Sequence, residues 1–455
     1  MTKKFIVLFA ILNFFLACFY LDTWQNGNTT SRAIAVLAFA ESHTLQIDKR
    51  QEESVDKSFI NGHYYSDKAP LPLFLVIPFY ELVNLFGINP ANSEKTAYII
   101  GDILCGSVPF TLIVLVSFLS IRKKNNSAMS PVLCSMLPFY ASFIFIYSGT
   151  FYAHLLSAFF LLMAYICLRG QKKYFLAGIL CGLSFLSEFP TALVLIIWGA
   201  QIYFRQKSIS PVLKFSAGIL PSLLFIAVYN YCLTGNMLTS SYKYHAMQDI
   251  HSNYGFSLPT LHALWGLSFS PYRGIIFYTP FLLLYFYEEL KPILSISFRQ
   301  WVSVFFTNYL AIISISSLVF ISGYFEWWGG WCYGPRLIFF IAVLLCFEGI
   351  VFISSGNFYK PMFWILILLG FACTFMAKST VVYSVPTEIN NPITEQVIPN
   401  FTNNNFNPNN ILTMIFDLQP KTANYIWLAS FIIIAAGLTL LYKKEITGNA
   451  KQTIK

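Results

Sequence analysis

The sequence predicts an all-α polytopic membrane protein with about twelve transmembrane helices. Hydrophobic residues make up 56% of the 455-residue chain and charged residues only 11%, whereas a soluble domain carries about 25% charged residues. Runs of roughly 17–25 apolar residues, the length that crosses a bilayer as a helix, recur along the chain. Short alternating strands, which would indicate a membrane barrel, do not recur.

We predict twelve spans from these runs. The first run follows Lys3 and Lys4 and has the layout of a secretory signal, but no small-x-small cleavage site follows it. We therefore interpret it as an uncleaved first helix. The predicted spans cover residues 5–21, 97–121, 128–148, 151–168, 174–188, 190–204, 211–231, 274–287, 301–321, 337–354, 361–382 and 424–442.

Basic residues in the short connections give the orientation, because positively charged connections stay in the cytoplasm. They fall at alternate ends of the predicted spans, so both termini are expected inside, in a multi-pass protein of the bacterial inner (cytoplasmic) membrane. The apolar stretch 71–87 would break the alternation if it crossed, so we predict a juxtamembrane helix on the outer side. The basic residues are Lys3, Lys4, Arg122, Lys123, Lys124, Arg169, Lys172, Lys173, Arg205, Lys207, Lys291, Arg299, Lys360, Lys443 and Lys444.

This orientation places every long connection outside. The net charge of +9 is explained by the orienting clusters and does not indicate nucleic-acid binding. The predicted organisation is a membrane domain (1–382) with outer loops at 22–96, 232–273 and 322–336, an Asn- and Pro-rich outer loop (383–423), a last span (424–442) and a cytoplasmic tail (443–455).

The first outer loop concentrates polar side chains in residues 62–70 (GHYYSDKAP). His63, Tyr65 and the adjacent pair Asp67-Lys68 precede a proline that can begin a helix. A carboxylate in such a loop can act as a general base, and a lysine can hold a phosphate near the membrane surface. Each carboxylate is also compatible with an ordinary solvated loop, and the lysine with a snorkelling interface residue.

The predicted layout and the 62–70 string resemble the membrane-embedded glycosyltransferases of the GT-C class, especially the lipid A aminoarabinose transferases and the protein O-mannosyltransferases. In that group the first outer loop carries an Asp-Glu-x-Arg-Tyr-like motif and a later Tyr-x-x-Lys-Pro-Pro-like motif. Here residues 29–32 (TTSR) and 65–70 (YSDKAP) stand at those places, and 187–190 (SEFP) stands where a Lys-Gly-Pro turn is frequent. Residues 269–274 (FSPYRG) and 328–336 (WGGWCYGPR), with the 62–70 string, resemble an uncharacterised bacterial branch of the class.

The resemblance implies transfer of a sugar from a polyprenyl-phosphate carrier to a lipid or glycan acceptor at the outer face. The catalytic aspartate of the class would align near Thr29, which cannot act as a base. Either another carboxylate of the loop serves, or the protein is not a transferase of the usual kind. The candidates are Asp48, Asp56 and Asp67, with Lys68 on the lipid-linked phosphate. The other expected substrate- or phosphate-binding residues are Arg32, His63, Tyr65, Glu188, Arg273 and Arg336.

Two of these arginines, Arg273 and Arg336, lie in outer loops beside apolar runs, where a charge is costly unless it is paired. Each can hold an anion or form an ion pair with Glu326 or Glu188. Glu188 itself lies between two short apolar runs and needs a partner for the same reason. The sequence leaves both interpretations open.

The main alternative function is a lipid-glycan flippase or transporter. Such a carrier is expected to have charged residues deep in its spans, or matched helices broken by Gly or Pro. The charges here gather at one face, which favours the transferase, and an assembly subunit would leave the loop strings unexplained. No Walker, Rossmann or zinc spacing is present, so no cofactor is expected and a divalent metal is not indicated. The expected partners are the lipid-linked donor, the acceptor and membrane lipids.

Overall fold

The computed structural model describes residues 2–23, 26–87, 93–122, 129–246, 252–293, 296–356, 358–380 and 385–453. Lys123 and Lys124, two of the orienting basic residues, lie outside these ranges. Within them the chain is helical apart from turns and one two-stranded sheet. The prediction of an all-α membrane protein is confirmed at this level.

The part of the chain before residue 88 holds one helix of the bundle and the elements of the first loop. Asn26 caps the first loop helix, because its side chain accepts hydrogen bonds from the N–H groups of Asn28 and Thr29. The elements are α1 (Lys3–Ala17), α2 (Gly27–Ser42), a 3₁₀ turn (Asp48–Glu53), β1 (Lys57–Ile60), β2 (His63–Ser66) and α3 (Leu71–Leu85). The last of these coincides with the predicted juxtamembrane helix at 71–87.

The remainder is a helical bundle with an aromatic core. Its helices are α4 (Glu94–Gly101), α5 (Val108–Ile121), α6 (Pro131–Tyr140), α7 (Phe143–Ile146), α8 (His154–Ile166), α9 (Tyr174–Ser187), α10 (Ala192–Gln206), α11 (Ile209–Thr234), α12 (Leu261–Ser268), α13 (Ile275–Tyr278), α14 (Phe281–Ile293), α15 (Phe298–Thr307), α16 (Tyr309–Ser322), α17 (Phe339–Ser354), α18 (Lys360–Thr380), α19 (Ile398–Thr402), α20 (Ile411–Phe416) and α21 (Pro420–Thr453). A π-helical turn, Asp102–Ser107, joins α4 to α5.

Six helices of the described chain are long and apolar enough to cross a membrane, or seven if one bent pair counts as a span. Twelve spans are therefore not confirmed. Several predicted spans correspond to helices that are shorter than a straight crossing needs, such as α9 with 14 residues. The six are Glu94–Ile121, His154–Gln171, Ile209–Thr234, Arg336–Ser354, Lys360–Thr380 and Pro420–Thr447.

One predicted span, 128–148, is interrupted. Helix α6 ends at Tyr140, the short α7 follows, and residues 147–153 are non-helical although every one of them is buried. Gly149 adopts a φ of +68°, and a Cβ there would lie 1.7 Å from the carbonyl oxygen of Tyr20. Non-helical backbone at this depth is tolerated where protein surrounds it. Residues 147–153 are called the buried segment below.

Another predicted span, 301–321, is bent. Helices α15 and α16 meet at Asn308 with an angle of 84° between them. The apolar side chains of α15 share one face, and its polar residues (Arg299, Gln300, Ser303 and Thr307) share the other. A helix of this kind, perpendicular to an apolar neighbour, is typical of a membrane interface.

The β1–β2 hairpin of the first loop contacts the 232–273 loop. Its strands pair antiparallel, with Lys57 opposite Ser66 and Ile60 opposite His63. On the outer edge of β1, Ser58 pairs with His245 of the 232–273 loop. The backbone N–H of Ala246 also donates to the Lys57 carbonyl at 2.9 Å. The hairpin therefore holds the two loops in a fixed relation.

Candidate functional site

The ammonium group of Lys68 lies between two carboxylates. Its Nζ is 2.7 Å from Oδ2 of Asp56 and 3.0 Å from Oδ2 of Asp67. Asp56 immediately precedes β1 and Asp67 immediately follows β2, and the pairing of Lys57 with Ser66 brings these two strand ends together. The hairpin therefore builds this triad from residues that are separated in sequence, and the charge-assisted contacts are short.

The charge states of this triad follow from its contacts. Burial raises the pKa of Asp56, but the charge and hydrogen bond of Lys68, with more distant Arg336 and His245, outweigh burial and hold that pKa below its usual value. Burial lowers the pKa of Lys68, but Asp56 and Asp67 outweigh it, and the net pKa lies above the usual lysine value. Both groups are thus charged at neutral pH.

His245 reaches the triad from the 232–273 loop. It is almost fully buried, and its Nε2 is 3.6 Å from Oδ2 of Asp67. Burial lowers the pKa of His245, and Lys68 adds to this effect, although Asp67 and Asp56 oppose it. His245 is therefore neutral at neutral pH, and it can accept or donate one proton at the edge of the triad.

Arg32 and Glu188 form a second pair beside the triad. Arg32, buried on α2, places Nη2 3.7 Å from Oε1 of Glu188, and its Nη1 donates to the side chain of Asn28. The Nδ1 of His154 lies 3.3 Å from the same Glu188 oxygen. Burial raises the pKa of Glu188, while Arg32, Arg336 and Lys68 lower it, and burial prevails. The partner that Glu188 needs is therefore present.

Arg336 and Glu326 both lie beside a pair of consecutive glycines. Gly329 and Gly330 have φ angles of +79° and +70°. A Cβ on Gly330 would lie 2.9 Å from Oε1 of Glu326 and 3.7 Å from Nη2 of Arg336. The guanidinium of Arg336 also lies over the ring of Tyr152, 5.3 Å from its centroid. Side chains at these two positions would collide with Arg336 and Glu326. Glycine at both positions therefore leaves room for the two charged groups.

A small cavity lies beside Glu188, His154 and Arg336. Its volume is about 20 Å³, and it is lined by His154, Ser157, Glu188, Pro190, Thr191, Arg336, Leu337, Phe339 and Phe340. This is room for about one water molecule. Nε2 of His154 and Nε of Arg336 are buried and have no hydrogen-bond partner among the described residues. The cavity thus offers two unsatisfied nitrogen atoms to a small polar group.

Three of the expected site residues lie apart from the triad. His63 Nδ1 is 2.7 Å from Asp48 Oδ2, and both side chains are more than one-third exposed. Burial raises the pKa of Asp48, but the Tyr64 N–H and His63 together outweigh burial and lower that pKa below its usual value. Tyr65 accepts a hydrogen bond from Gln46. No hydrogen bond or ion pair among the described residues joins Asp48, His63 or Tyr65 to Lys68.

Arg273 is fully buried, and backbone carbonyls satisfy its guanidinium. It donates to the carbonyl oxygens of Trp328 at 3.1 Å, Tyr272 at 2.9 Å and Gly330 at 3.2 Å. These contacts take up Nε, Nη1 and Nη2. Arg273 therefore supports the loop that carries the glycine pair, and it forms no ion pair with Glu326 or Glu188.

Sequence analysis did not identify two ionisable residues that lie buried within the candidate spans. Lys378 lies in α18 and is 1% exposed, and Asp102 lies in the π-helical turn and is fully buried. The electrostatic influence of Asp22, which follows α1, reaches both of them. A single Asp within 97–121 and a single Lys within 361–382 were the available signals, because ionisable residues are rare in spans.

The described residues contain no group of three or more His, Cys, Asp or Glu side chains that could hold a metal ion. No protein-family model matches the chain, and no curated protein matches it. The functional assignment therefore depends on the chemistry of the site just described: the triad of Asp56, Asp67 and Lys68, together with Arg32, Glu188 and Arg336.

Proposed function

We propose that the protein is a GT-C-like membrane glycosyltransferase. It moves one sugar from a polyprenyl-phosphate carrier to a lipid or glycan acceptor on the non-cytoplasmic face. The supporting observation is the ion pair of Asp56 and Lys68, which lies beside Arg32 and Arg336. The reaction needs a base for the acceptor hydroxyl and cations for the departing lipid phosphate, and this cluster supplies both.

In the proposed reaction Asp56 is the base. The acceptor hydroxyl oxygen attacks the anomeric carbon, the carboxylate takes the hydroxyl proton, and the bond between that carbon and the phosphate oxygen breaks. The lipid phosphate leaves with the electron pair and is held by Lys68, Arg32 and Arg336. Asp56 is better suited than Asp67, because its side chain is 23% exposed and that of Asp67 only 1%.

The ion pair also gives Asp56 a way to become a stronger base. While Lys68 is close, the pKa of Asp56 is held low, and a carboxylate of low pKa accepts protons poorly. A donor phosphate that binds Lys68 brings negative charge and takes part of the lysine's interaction. The pKa of Asp56 then rises towards the working pH when the donor is in place.

The membrane arrangement that belongs to this proposal has twelve spans, with both termini in the cytoplasm and the protein in the bacterial inner membrane. Each of the twelve apolar runs contains a helix, and the basic residues fall at alternate ends. The site residues come from connections that this arrangement places outside: the first loop, the Glu188 turn, and the loops that hold His245 and Arg336.

Mass spectrometry of lipid-linked glycans and lipid A tests the function. A strain without the protein is compared with strains that carry the wild-type chain, Asp56→Asn or, as a matched control, Asp48→Asn. We expect one glycosylated product to disappear in the deletion and Asp56→Asn strains and to persist in the control. Unchanged glycans in the deletion strain would contradict the proposal.

A lipid-glycan transporter is the second candidate, and the buried charges of Asp102 and Lys378 within candidate spans favour it. A transporter changes the side of the membrane on which a lipid-linked glycan is found, without a new covalent bond. Proteoliposomes with a labelled lipid-linked sugar separate the two candidates. Enzymatic access to the label changes for a transporter, whereas a new sugar–acceptor bond appears for a transferase.

A further inference from the structure

Lys378 makes two hydrogen bonds with a neighbouring part of the bundle. Its Nζ donates to the carbonyl oxygens of Ile146 at 2.6 Å and Ser148 at 2.7 Å. It also lies over the rings of Tyr20 and Phe145, with centroid distances of 5.4 and 5.6 Å. These carbonyls belong to the end of α7 and the start of the buried segment, where no helix satisfies them.

The buried segment is held tightly by its other neighbours as well. The N–H of Asp22 donates to the carbonyl of Gly149 at 3.0 Å. A Cβ on Gly106 would lie 2.7 Å from the backbone nitrogen atoms of both Gly149 and Thr150. The α4–α5 region thus approaches the segment at backbone contact distance on one side, while Lys378 holds it on another.

Both ends of the buried segment contact residues beside the candidate site. The hydroxyl of Tyr147 donates to the Tyr333 carbonyl at 3.1 Å, and the hydroxyl of Tyr152 donates to Oδ1 of Asn26 at 3.2 Å. Asn26 caps the helix that carries Arg32, and the ring of Tyr152 lies beneath Arg336. One segment therefore contacts the supports of both site arginines.

We propose that Lys378 is a positioning residue, which fixes the buried segment and through it the placement of Arg32 and Arg336. A lysine suits this role because its charged donor satisfies two carbonyl groups at once. The carboxyl groups of Asp22 and Asp102 lie near enough to influence it electrostatically. Without these partners a buried ammonium group would be costly. The consequence for catalysis depends on the proposed function, whereas the clamp on the segment does not.

Hydrogen exchange of the purified full chain, followed by mass spectrometry, tests the clamp directly. Lys378→Met removes the donor at similar length, and Lys378→Arg restores one. Lys360→Met, an exposed position at the start of the same helix, is the matched control. We expect faster exchange in residues 145–153 for Lys378→Met only, with the β1–β2 hairpin unchanged. Wild-type exchange in that segment, or a uniform rise throughout the bundle, would overturn the proposal.

The Lys378→Met variant leaves two buried acidic residues without their cation, and it can fail to accumulate for that reason alone. The triple variant Lys378→Met, Asp22→Asn and Asp102→Asn removes all three groups' charges together and keeps their approximate shapes. We expect the triple variant to fold and to show the same local rise in exchange. A folded triple variant with wild-type exchange in the buried segment contradicts the clamp.

Sugar-transfer kinetics test the positioning role. We expect kcat to fall about a hundredfold in Lys378→Met, as for a small misplacement of catalytic groups, with the KM for the donor within about twofold. Lys378→Arg should recover most of the rate. A normal kcat in a variant with a loosened segment would overturn the positioning role. If the wild type transfers no sugar, the proposed function fails, and the exchange result still decides the clamp.

Discussion

Oδ2 of Asp56 and Nζ of Lys68 are 2.7 Å apart, and this contact closes the open end of the β1–β2 hairpin. The pair is partly accessible, with 23% of the Asp56 side chain and 16% of the Lys68 side chain exposed. A substrate can therefore reach both groups without unfolding the hairpin. The proposed chemistry and the closure of the hairpin both involve this pair.

Asp56→Asn is predicted to abolish most of the activity, because the amide cannot take a proton from the acceptor. Removal of a general base typically costs about a hundred- to ten-thousandfold in rate. Asp48→Asn is the matched control, because Asp48 lies in the same loop and pairs with His63. Transfer rates of the purified variants decide between them. A large loss of rate in Asp48→Asn with a normal rate in Asp56→Asn would contradict this prediction and indicate that Asp48, paired with His63, is the base.

The stability of the first loop is predicted to depend on pH through Asp56. The pKa of Asp56 in the folded protein is below its usual value. Its contribution to the free energy of unfolding is therefore complete above about pH 4, the pKa of an aspartate in the unfolded chain. That contribution is lost as the pH falls through the folded pKa. Thermal unfolding of the wild type should therefore lose more stability on acidification below about pH 4 than that of Asp56→Asn. Parallel acid profiles for the two proteins would contradict this.

The raised pKa of Lys68 changes the stability with pH in the opposite direction. Its contribution is complete below the unfolded lysine pKa, about 10.4, and is lost as the pH rises through the higher folded pKa. Lys68→Met should therefore flatten the alkaline limb of the unfolding profile, and it should also weaken the part of the acid limb that Asp56 contributes, because Lys68 holds the Asp56 pKa low. The measurement is the midpoint of thermal unfolding between pH 8 and pH 11, in one detergent at constant ionic strength.

Gly330→Ala is predicted to lower stability and activity together. Its φ of +70° costs an L residue about 1–2 kcal/mol, and the new Cβ would lie 2.9 Å from Oε1 of Glu326. Gly235→Ala separates these two effects, because Gly235 has a φ of +74° and open space around the added Cβ. We expect Gly235→Ala to lower only the unfolding temperature. Equal activity in the two variants would contradict a role for the glycine pair at Arg336.

Helix α15 is predicted to lie in the membrane interface. Vesicles with lipids brominated near the headgroup should quench Trp301, which lies on the apolar face and is 38% exposed. Trp301→Phe should remove this quenched component of the fluorescence. Trp198→Phe is the control, because Trp198 is fully buried and donates to the Tyr309 carbonyl. Stronger quenching of Trp301 by bromines at the bilayer centre would show a crossing helix instead.

The sequence predicted features that depend on local pattern. The apolar stretch at 71–87 is a helix, and Asp67 lies next to Lys68 in space as it does in the chain. Asp56 could be named only as one of three carboxylates, because its place beside Lys68 depends on hairpin register. Register follows from the turn at Asn61 and Gly62, both of which have positive φ.

Features that depend on distant contacts were not predictable in this way. The sequence predicts Arg273 as a candidate anion-binding residue. In the structure its guanidinium donates hydrogen bonds to three backbone carbonyls from two loops. Lys378 looks like an isolated charge in an apolar run, and its carbonyl partners lie in a different predicted span. The 84° bend at Asn308 was not predicted either, and the available signals were the polar face of α15 and Asn308, which caps the start of α16.

The pairing of Ser58 with His245 has a consequence for the order in which the site can come into being. The hairpin is synthesised early, but its partner loop follows eight further helices of the bundle, α4 to α11, and Arg336 comes later still. A nascent chain therefore holds Lys68 and its carboxylates in an unfinished first loop while most of the bundle is still to be added. Shortened products that end before Arg336 would lack part of the candidate site, so the site is complete only after the later helices have been added.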